Sequence, residues 1–244
     1  MTTNTIDESQ RTAARVAGWA YLSTMAIVVA VNFGIHDRLI AGDNAVETAR
    51  NILAHEQLFR VGIAGNLLYC AGVIALLTAL YVILRPVNRG LALVAAFLRL
   101  VWVLMWLAMT LHLFDAMRML SGAGYLRPFE AAQMQSFARF YLSTCFDYYY
   151  VGLLFGAAAS TVCGYLWFKS RYIPRWLAAF GVVSSAWCVA CTLVFYIFPN
   201  FDDVVNLWWF DTPMAIFDIA TSIWLLVKGL NPPRVSLLAA GANA

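Results

Sequence analysis

Six stretches of predominantly apolar residues, each about 20 long, match what a helix needs to cross a hydrocarbon layer roughly 30 Å thick. They occupy residues 13–35, 61–84, 91–114, 148–168, 176–198 and 208–227. No other feature constrains the fold as strongly. A soluble domain of 244 residues has too little interior for a chain that is 62% hydrophobic and 12% charged, against about 25% charged in ordinary globular proteins. The same numbers exclude a disordered tail, a secreted disulfide scaffold, a coiled coil and a nucleic-acid reader. The net charge of +3 comes from basic residues scattered between apolar runs, so nucleic acid is not an expected partner. The expected fold class is all-α: an integral membrane bundle of six transmembrane helices. Pro213 and Asp218 interrupt the sixth span, whose membrane part is expected to begin near Thr212.

Lys and Arg set the expected orientation. With six spans, one face carries Arg11, Arg15, Arg85, Arg89, Lys169, Arg171, Arg175, Lys228 and Arg234 against only Asp7 and Glu8. The other carries Arg38, Arg50, Arg60, Arg118, Arg127 and Arg139 and most of the acids, and its last loop, 199–211, holds three Asp and no basic residue. The expectation is a multi-pass protein of the bacterial cytoplasmic (inner) membrane with both termini cytoplasmic. Its parts are an amino-terminal arm (1–12), the six-helix transmembrane domain (13–228) and a frayed cytoplasmic tail (229–244).

The outer connections are long enough for two amphipathic helices. Asp43 can cap one carrying Val46, Ala49, Ile52, Leu53 and Phe59 on one side. Pro128 suits the first turn of another, over 129–144, where Met134, Phe137, Ala138, Tyr141, Leu142 and Cys145 recur at helical spacing. Either both cap the bundle or lie in the outer interface, or they form a lid over a cavity.

Polar residues within the spans are the candidates for function. Cys70, Cys163, Cys188 and Cys191 read as small apolar fillers. No histidine joins Cys188 and Cys191, so no metal site and no cofactor is expected. His36 and His112, both at outer span ends, are the single candidate pair for a bis-histidine haem. Gly152, Gly156, Ser160 and Gly164 form a four-residue repeat of small side chains, suited either to packing within the bundle or to a homodimer or partner face.

Arg99 and Asp218 carry the strongest signal. Counted from the basic face at 1.5 Å per residue, they lie about 12 and 15 Å deep. A lone charge there costs roughly 2.5–3.5 kcal/mol, so contact between them, direct or through one water, is expected. The pair either fixes the register of its helices or serves a ligand or a proton. A second group, Asn32, Asn66, Tyr69, His112, Asp115 and Asp147 with Tyr148–Tyr150, lies toward the outer face. It is either wet and interfacial or lines an outward-opening pocket with Asp218 at its floor. His112 and Asp115, at i and i+3, can hydrogen-bond as an acid–base unit. Trp102 and Trp106, deeper in the third span, either line a cavity or fill it.

Several stretches resemble a bacterial membrane family known as domain of unknown function 4386: 14–22 (ARVAGWAYL), 52–63 (ILAHEQLFRVGI), 79–100 (ALYVILRPVNRGLALVAAFLRL), 164–177 (GYLWFKSRYIPRWL) and 224–229 (WLLVKG). The likeness is specific at Arg85-Pro86-Val87-Asn88-Arg89 and at the 169–175 turn. Where that family commonly reads Gly-Glu before WLLVKG, this chain has Phe217-Asp218, keeping the acid and losing the glycine. The resemblance implies a multihelical membrane domain and transfers no activity and no residue role.

Three kinds of function follow. The leading one is an integral membrane protein that binds or moves a small hydrophobic ligand in its bundle. The second is an intramembrane enzyme with Asp218 or Asp115 as general acid on a lipid-like or isoprenoid substrate. The third is a non-catalytic accessory subunit held by the small-residue stripe.

Overall fold

The computed structural model describes residues 6–42, 44–122, 124–126, 128–198, 200, 205–206 and 208–232. These residues form seven principal helices and no strand: α1 (Glu8–Val31), α2 (Ala45–Ala54), α3 (Glu56–Leu84), α4 (Arg89–Leu120), α5 (Ala131–Ser170), α6 (Arg175–Ile197) and α7 (Trp208–Val227). A π-helical turn, Asn32–His36, and a last α-turn, Asp37–Leu39, extend α1. All but α2 belong to stretches long and apolar enough to cross a membrane. Within each stretch's apolar window only 28–56% of the residues are buried, so the remainder needs an apolar solvent. Trp19, Phe97, Trp176 and Val183 are among the large exposed side chains. The protein is an all-α integral membrane bundle.

The helix ends follow from local chemistry. Asp7 caps α1, its Oδ1 accepting from the Gln10 amide at 2.6 Å while the Asp7 amide donates to Gln10 Oε1 at 3.3 Å. This reciprocal box satisfies two amide donors that have no partner inside the helix. Asn88 Oδ1 accepts from the Leu91 amide at the start of α4, and Pro174 precedes α6. The cap of α2 is Asn44, whose side chain accepts from the Glu47 amide at 3.0 Å. The expected cap, Asp43, lies outside the described residues, as does the tail from 233 onward. On α2, Ala49 and Ile52 are buried as expected, but Val46 and Leu53 are exposed, and Thr48 turns inward to accept from the Ala41 amide.

The second amphipathic helix is not a separate element. Pro128 lies in a turn, and the helix starts at Ala131, where the Glu130 amide donates to Gln133 Oε1. It then runs without a break through the expected connection into the fourth span, 40 residues in all. At 1.5 Å per residue that is about 60 Å, twice the thickness of a hydrocarbon core. Met134, Ala138 and Leu142 are buried as their spacing requires, whereas Phe137 is exposed.

The chain divides into two compact units. The first comprises Met1–Leu22, Val73–Val101 and Leu153–Ala244. Its core draws Ala13, Ala14 and Ala17 from α1, Ile83 and Leu84 from α3, Ala92 and Ala95 from α4, Leu166 and Trp167 from α5, Leu177 from α6, and Phe217 and Leu225 from α7. Small residues permit the closest approaches: a Cβ at Gly181 would lie 2.5 Å from the Phe217 ring, and one at Gly18 would lie 2.7 Å from Leu226 Cγ. At one end of this unit Gln10 Nε2 donates to the Ile83 carbonyl and to the Tyr172 hydroxyl, and the Asn231 amide donates to the Tyr172 carbonyl.

The second unit comprises Ser23–Gly72 and Trp102–Gly152. Ile35, Leu39, Ile52, Phe59, Ile63, Leu113, Ala116, Ala138 and Leu142 are in its core. A Cβ at Gly65 would meet Val31, and one at Gly152 would meet Trp102 and Met105.

Candidate functional site

The deep polar residues gather in the first unit. Arg99 sits a third of the way along α4 and is buried among apolar residues. Its Nη2 donates to Ser160 Oγ on α5 at 3.0 Å, and the guanidinium also bonds the Tyr21 hydroxyl of α1. Asp218 on α7 lies within electrostatic range of Arg99, and both act on Tyr21 and Cys163. Four helices thus contribute five polar or titratable groups to one centre. Among the described residues, Asp218 Oδ1 is buried and has no hydrogen-bond donor. One turn along the same helix, Thr221 Oγ1 is also buried without a partner, and so is Trp224 Nε1 a further three residues on.

Trp167 Nε1 and Ser185 Oγ of the same unit are likewise buried with no partner among the described residues. Several other hydroxyls in this unit hand their proton to a carbonyl: Thr161 to Ala157, Ser184 to Gly181, Thr192 to Cys188 and Ser222 to Gly18. Such bonds are the usual way an apolar helix satisfies a hydroxyl. A buried polar atom left without one costs about 1–3 kcal/mol.

A narrow groove reaches this centre. Leu77, Leu80, Tyr81 and Leu84 of α3 and Ala92, Ala95 and Ala96 of α4 form its walls, and Arg99 and Cys163 close its inner end. Its free volume is about 10 Å³, room for about one water. Leu77 and Tyr81 are only half-buried, so these two side chains can be displaced more cheaply than the rest of the wall.

In the second unit, the expected outer cluster separates into distinct pairs. Trp106 Nε1 donates to Asn66 Oδ1 at 3.4 Å and Trp102 Nε1 to the Tyr69 hydroxyl at 3.0 Å. Tyr69, Trp102, Trp106 and Tyr149 pack with ring centroids 4.3–5.8 Å apart. The two tryptophans therefore fill the unit rather than line a cage. His112 does not bond Asp115. Its Nδ1 meets Thr144 Oγ1 at 3.1 Å and its Nε2 meets the Tyr148 hydroxyl at 3.0 Å, while Asp115 faces Arg118 at 3.6 Å. The Thr144 hydroxyl donates to the Tyr141 carbonyl, so it accepts from His112 Nδ1–H and leaves Nε2 to accept from Tyr148. With both ring nitrogens engaged, His112 is no ready haem ligand. Asn32 opens the π-turn, and Asp147 lies on an exposed helix face.

Gly152, Gly156, Ser160 and Gly164 are all buried by the chain itself. Gly152 packs under Trp102 and Gly164 against Val182, and Ser160 takes Arg99. These contacts accord with packing within the bundle, the first of the two readings of the stripe. The sequence singled out Arg99 and Asp218 and led to an expected contact. They lie within electrostatic range, but no ion pair within 4 Å joins them among the described residues. Tyr21, Thr221 and Trp224 were missed. The signal for Thr221 was available, since a hydroxyl three residues from a buried acid shares its helix face.

This geometry defines a class: a multi-pass helical membrane protein with a charged centre enclosed between its helices. The family described as Domain of unknown function (DUF4386) matches residues 16–229, and the chain belongs to that family. Neither a curated protein nor a solved structure matches it.

Proposed function

We propose that this integral membrane protein binds a small apolar carboxylic acid, its carboxylate on Arg99 and its body along the groove between α3 and α4. The observation that carries this reading is the groove itself, whose walls are seven apolar or aromatic side chains and whose inner end is a guanidinium. Arg is the side chain best suited to a carboxylate, which it can hold through two parallel hydrogen bonds. Alanines at 92, 95 and 96 supply the width that larger residues would remove. Entry of a ligand displaces the half-buried Leu77 and Tyr81. The reading includes a bacterial inner membrane with both chain ends in the cytoplasm, supported by the basic turns at 85–90 and 169–175.

The test is photo-crosslinking with an apolar carboxylic acid carrying a diazirine, followed by peptide mapping. Labelling is expected within 77–84 and 92–99, with competition by unlabelled decanoate. Arg99→Leu and Ala95→Trp are expected to abolish it, and Arg99→Lys to retain part. Labelling spread evenly over the spans and indifferent to Ala95→Trp would overturn the reading.

A further inference from the structure

We propose that Asp218 is a proton-binding site, and that the centre takes up one proton there when an anionic ligand engages Arg99. The inference rests on the carboxylate reading of the groove and adds the ion that accompanies the ligand. Asp218 Oδ1 is buried without a donor, and its electrostatic counterpart is Arg99 on α4. A ligand carboxylate on Arg99 consumes the attraction that holds the Asp218 charge. Two carboxylates within electrostatic range of one guanidinium in an apolar interior disfavour each other's ionised form, because like charges repel there. The ligand brings a negative charge, solvent supplies H⁺, and the net charge of the centre is unchanged.

The residues around Asp218 fit this role. Thr221 Oγ1 lies one turn away and makes no bond to its own helix, so it can accept the proton of a neutral Asp218 or bind a water that does. Trp224 Nε1, three residues further toward Lys228, is the next buried polar atom without a partner. Asp218, Thr221 and Trp224 recur at three-residue intervals along α7, so the acid has unsatisfied polar neighbours on its own helix. The other titratable groups facing the centre are Tyr21 from α1, Tyr81 from α3 and Cys163 from α5. Within α6, no residue after Arg175 carries a charge.

Calorimetry of decanoate binding to the purified full chain, in two buffers of different ionisation enthalpy, counts the protons exchanged. About one proton is expected to enter per decanoate bound, so affinity should fall about tenfold per pH unit on the alkaline side. Asp218→Asn is expected to keep binding and lose the proton, with affinity flat in pH. Binding with no proton uptake, or uptake that survives Asp218→Asn, would overturn the proposal. If decanoate does not bind at all, the ligand reading fails and infrared spectroscopy of the ligand-free chain decides the proton site. A carboxylic C=O band should grow as the pH is lowered, vanish in Asp218→Asn and shift in Thr221→Val. Absence of that band, or its indifference to Thr221→Val, would sink the proton site on its own.

Discussion

Ser222 donates its hydroxyl proton to the main-chain carbonyl of Gly18, 204 residues earlier in the chain, at 2.7 Å. The contact ties the last spanning helix to the first. It is possible because Gly18 has no Cβ, so Leu226 can lie against the α1 backbone. Gly18→Val forces that side chain out of its place and should cost about 1–3 kcal/mol, whereas Ser222→Ala, which removes one hydrogen bond, should cost about 1 kcal/mol. Unfolding in detergent, followed by tryptophan fluorescence, measures both. Recovery of Gly18→Val by Leu226→Ala is expected; no recovery would place the damage elsewhere.

Gly181 and Phe217 make a second glycine-dependent contact. An added methyl would meet the ring at 2.5 Å, and the ring belongs to a fully buried side chain. Gly181→Ala is therefore expected to lower stability by about 1–3 kcal/mol, and Phe217→Leu in the same chain to restore part of it. A Gly181→Ala protein with unchanged thermal midpoint would count against this packing.

Ser160 is the test of the charged centre as a structural element. Ser160→Ala removes a neutral acceptor from a buried guanidinium, a hydrogen bond to a charged group worth about 1.5–3 kcal/mol. Ser160→Thr keeps the hydroxyl and should lie between that variant and the parent. Equal stability of all three proteins would show that Arg99 gains nothing at this position.

The amino-terminal part of α5 can be read by thiol chemistry. Single cysteines at Gln133 and Ser136 should react quickly with a water-soluble maleimide, and cysteines at Met134, Ala138 and Leu142 slowly, since the last three are buried. Uniform rates along the segment would contradict a continuous helix.

Topology is open to reporter fusions. A green fluorescent protein joined after Lys228 should fluoresce, and an alkaline phosphatase inserted near Asp202 should be active. Either result reversed would refute the proposed orientation.

The sequence specified the spans well because lipid punishes any exposed amide, leaving only long apolar helices to cross. The start of α7 at Trp208 and the end of α3 at Leu84 coincide with the expected positions. The continuity of α5 was hidden by Asp147 and the three tyrosines after it, which read as an interface. The helix passes through them because Ser143 and Thr144 return their hydroxyl protons to carbonyls of their own turn, and nothing there needs to break it. As candidates, Arg99 and Asp218 were legible from charge and from their positions along apolar spans. Their neighbours were not: whether Tyr21 or Thr221 faces them depends on how each helix is rotated, which apolar periodicity fixes only loosely when lipid and protein are equally acceptable to a leucine.

Tyr172 holds both ends of its unit, accepting Gln10 at its hydroxyl and Asn231 at its carbonyl. Synthesis delivers these three residues at very different times. Domains ordinarily mature from the amino terminus as the ribosome extends them, but here the first helix enters the bilayer long before its last fastenings exist. Gln10 can reach the Ile83 carbonyl once α3 is made, yet its bond to Tyr172 waits for residue 172, and Gly18 waits for Ser222. During that interval the Gly18 side of α1 has lipid where α7 will lie, and the nascent protein is open to membrane quality control. Shortening the chain before α7 should thus turn a long-lived protein into a rapidly degraded one, even with five spans intact.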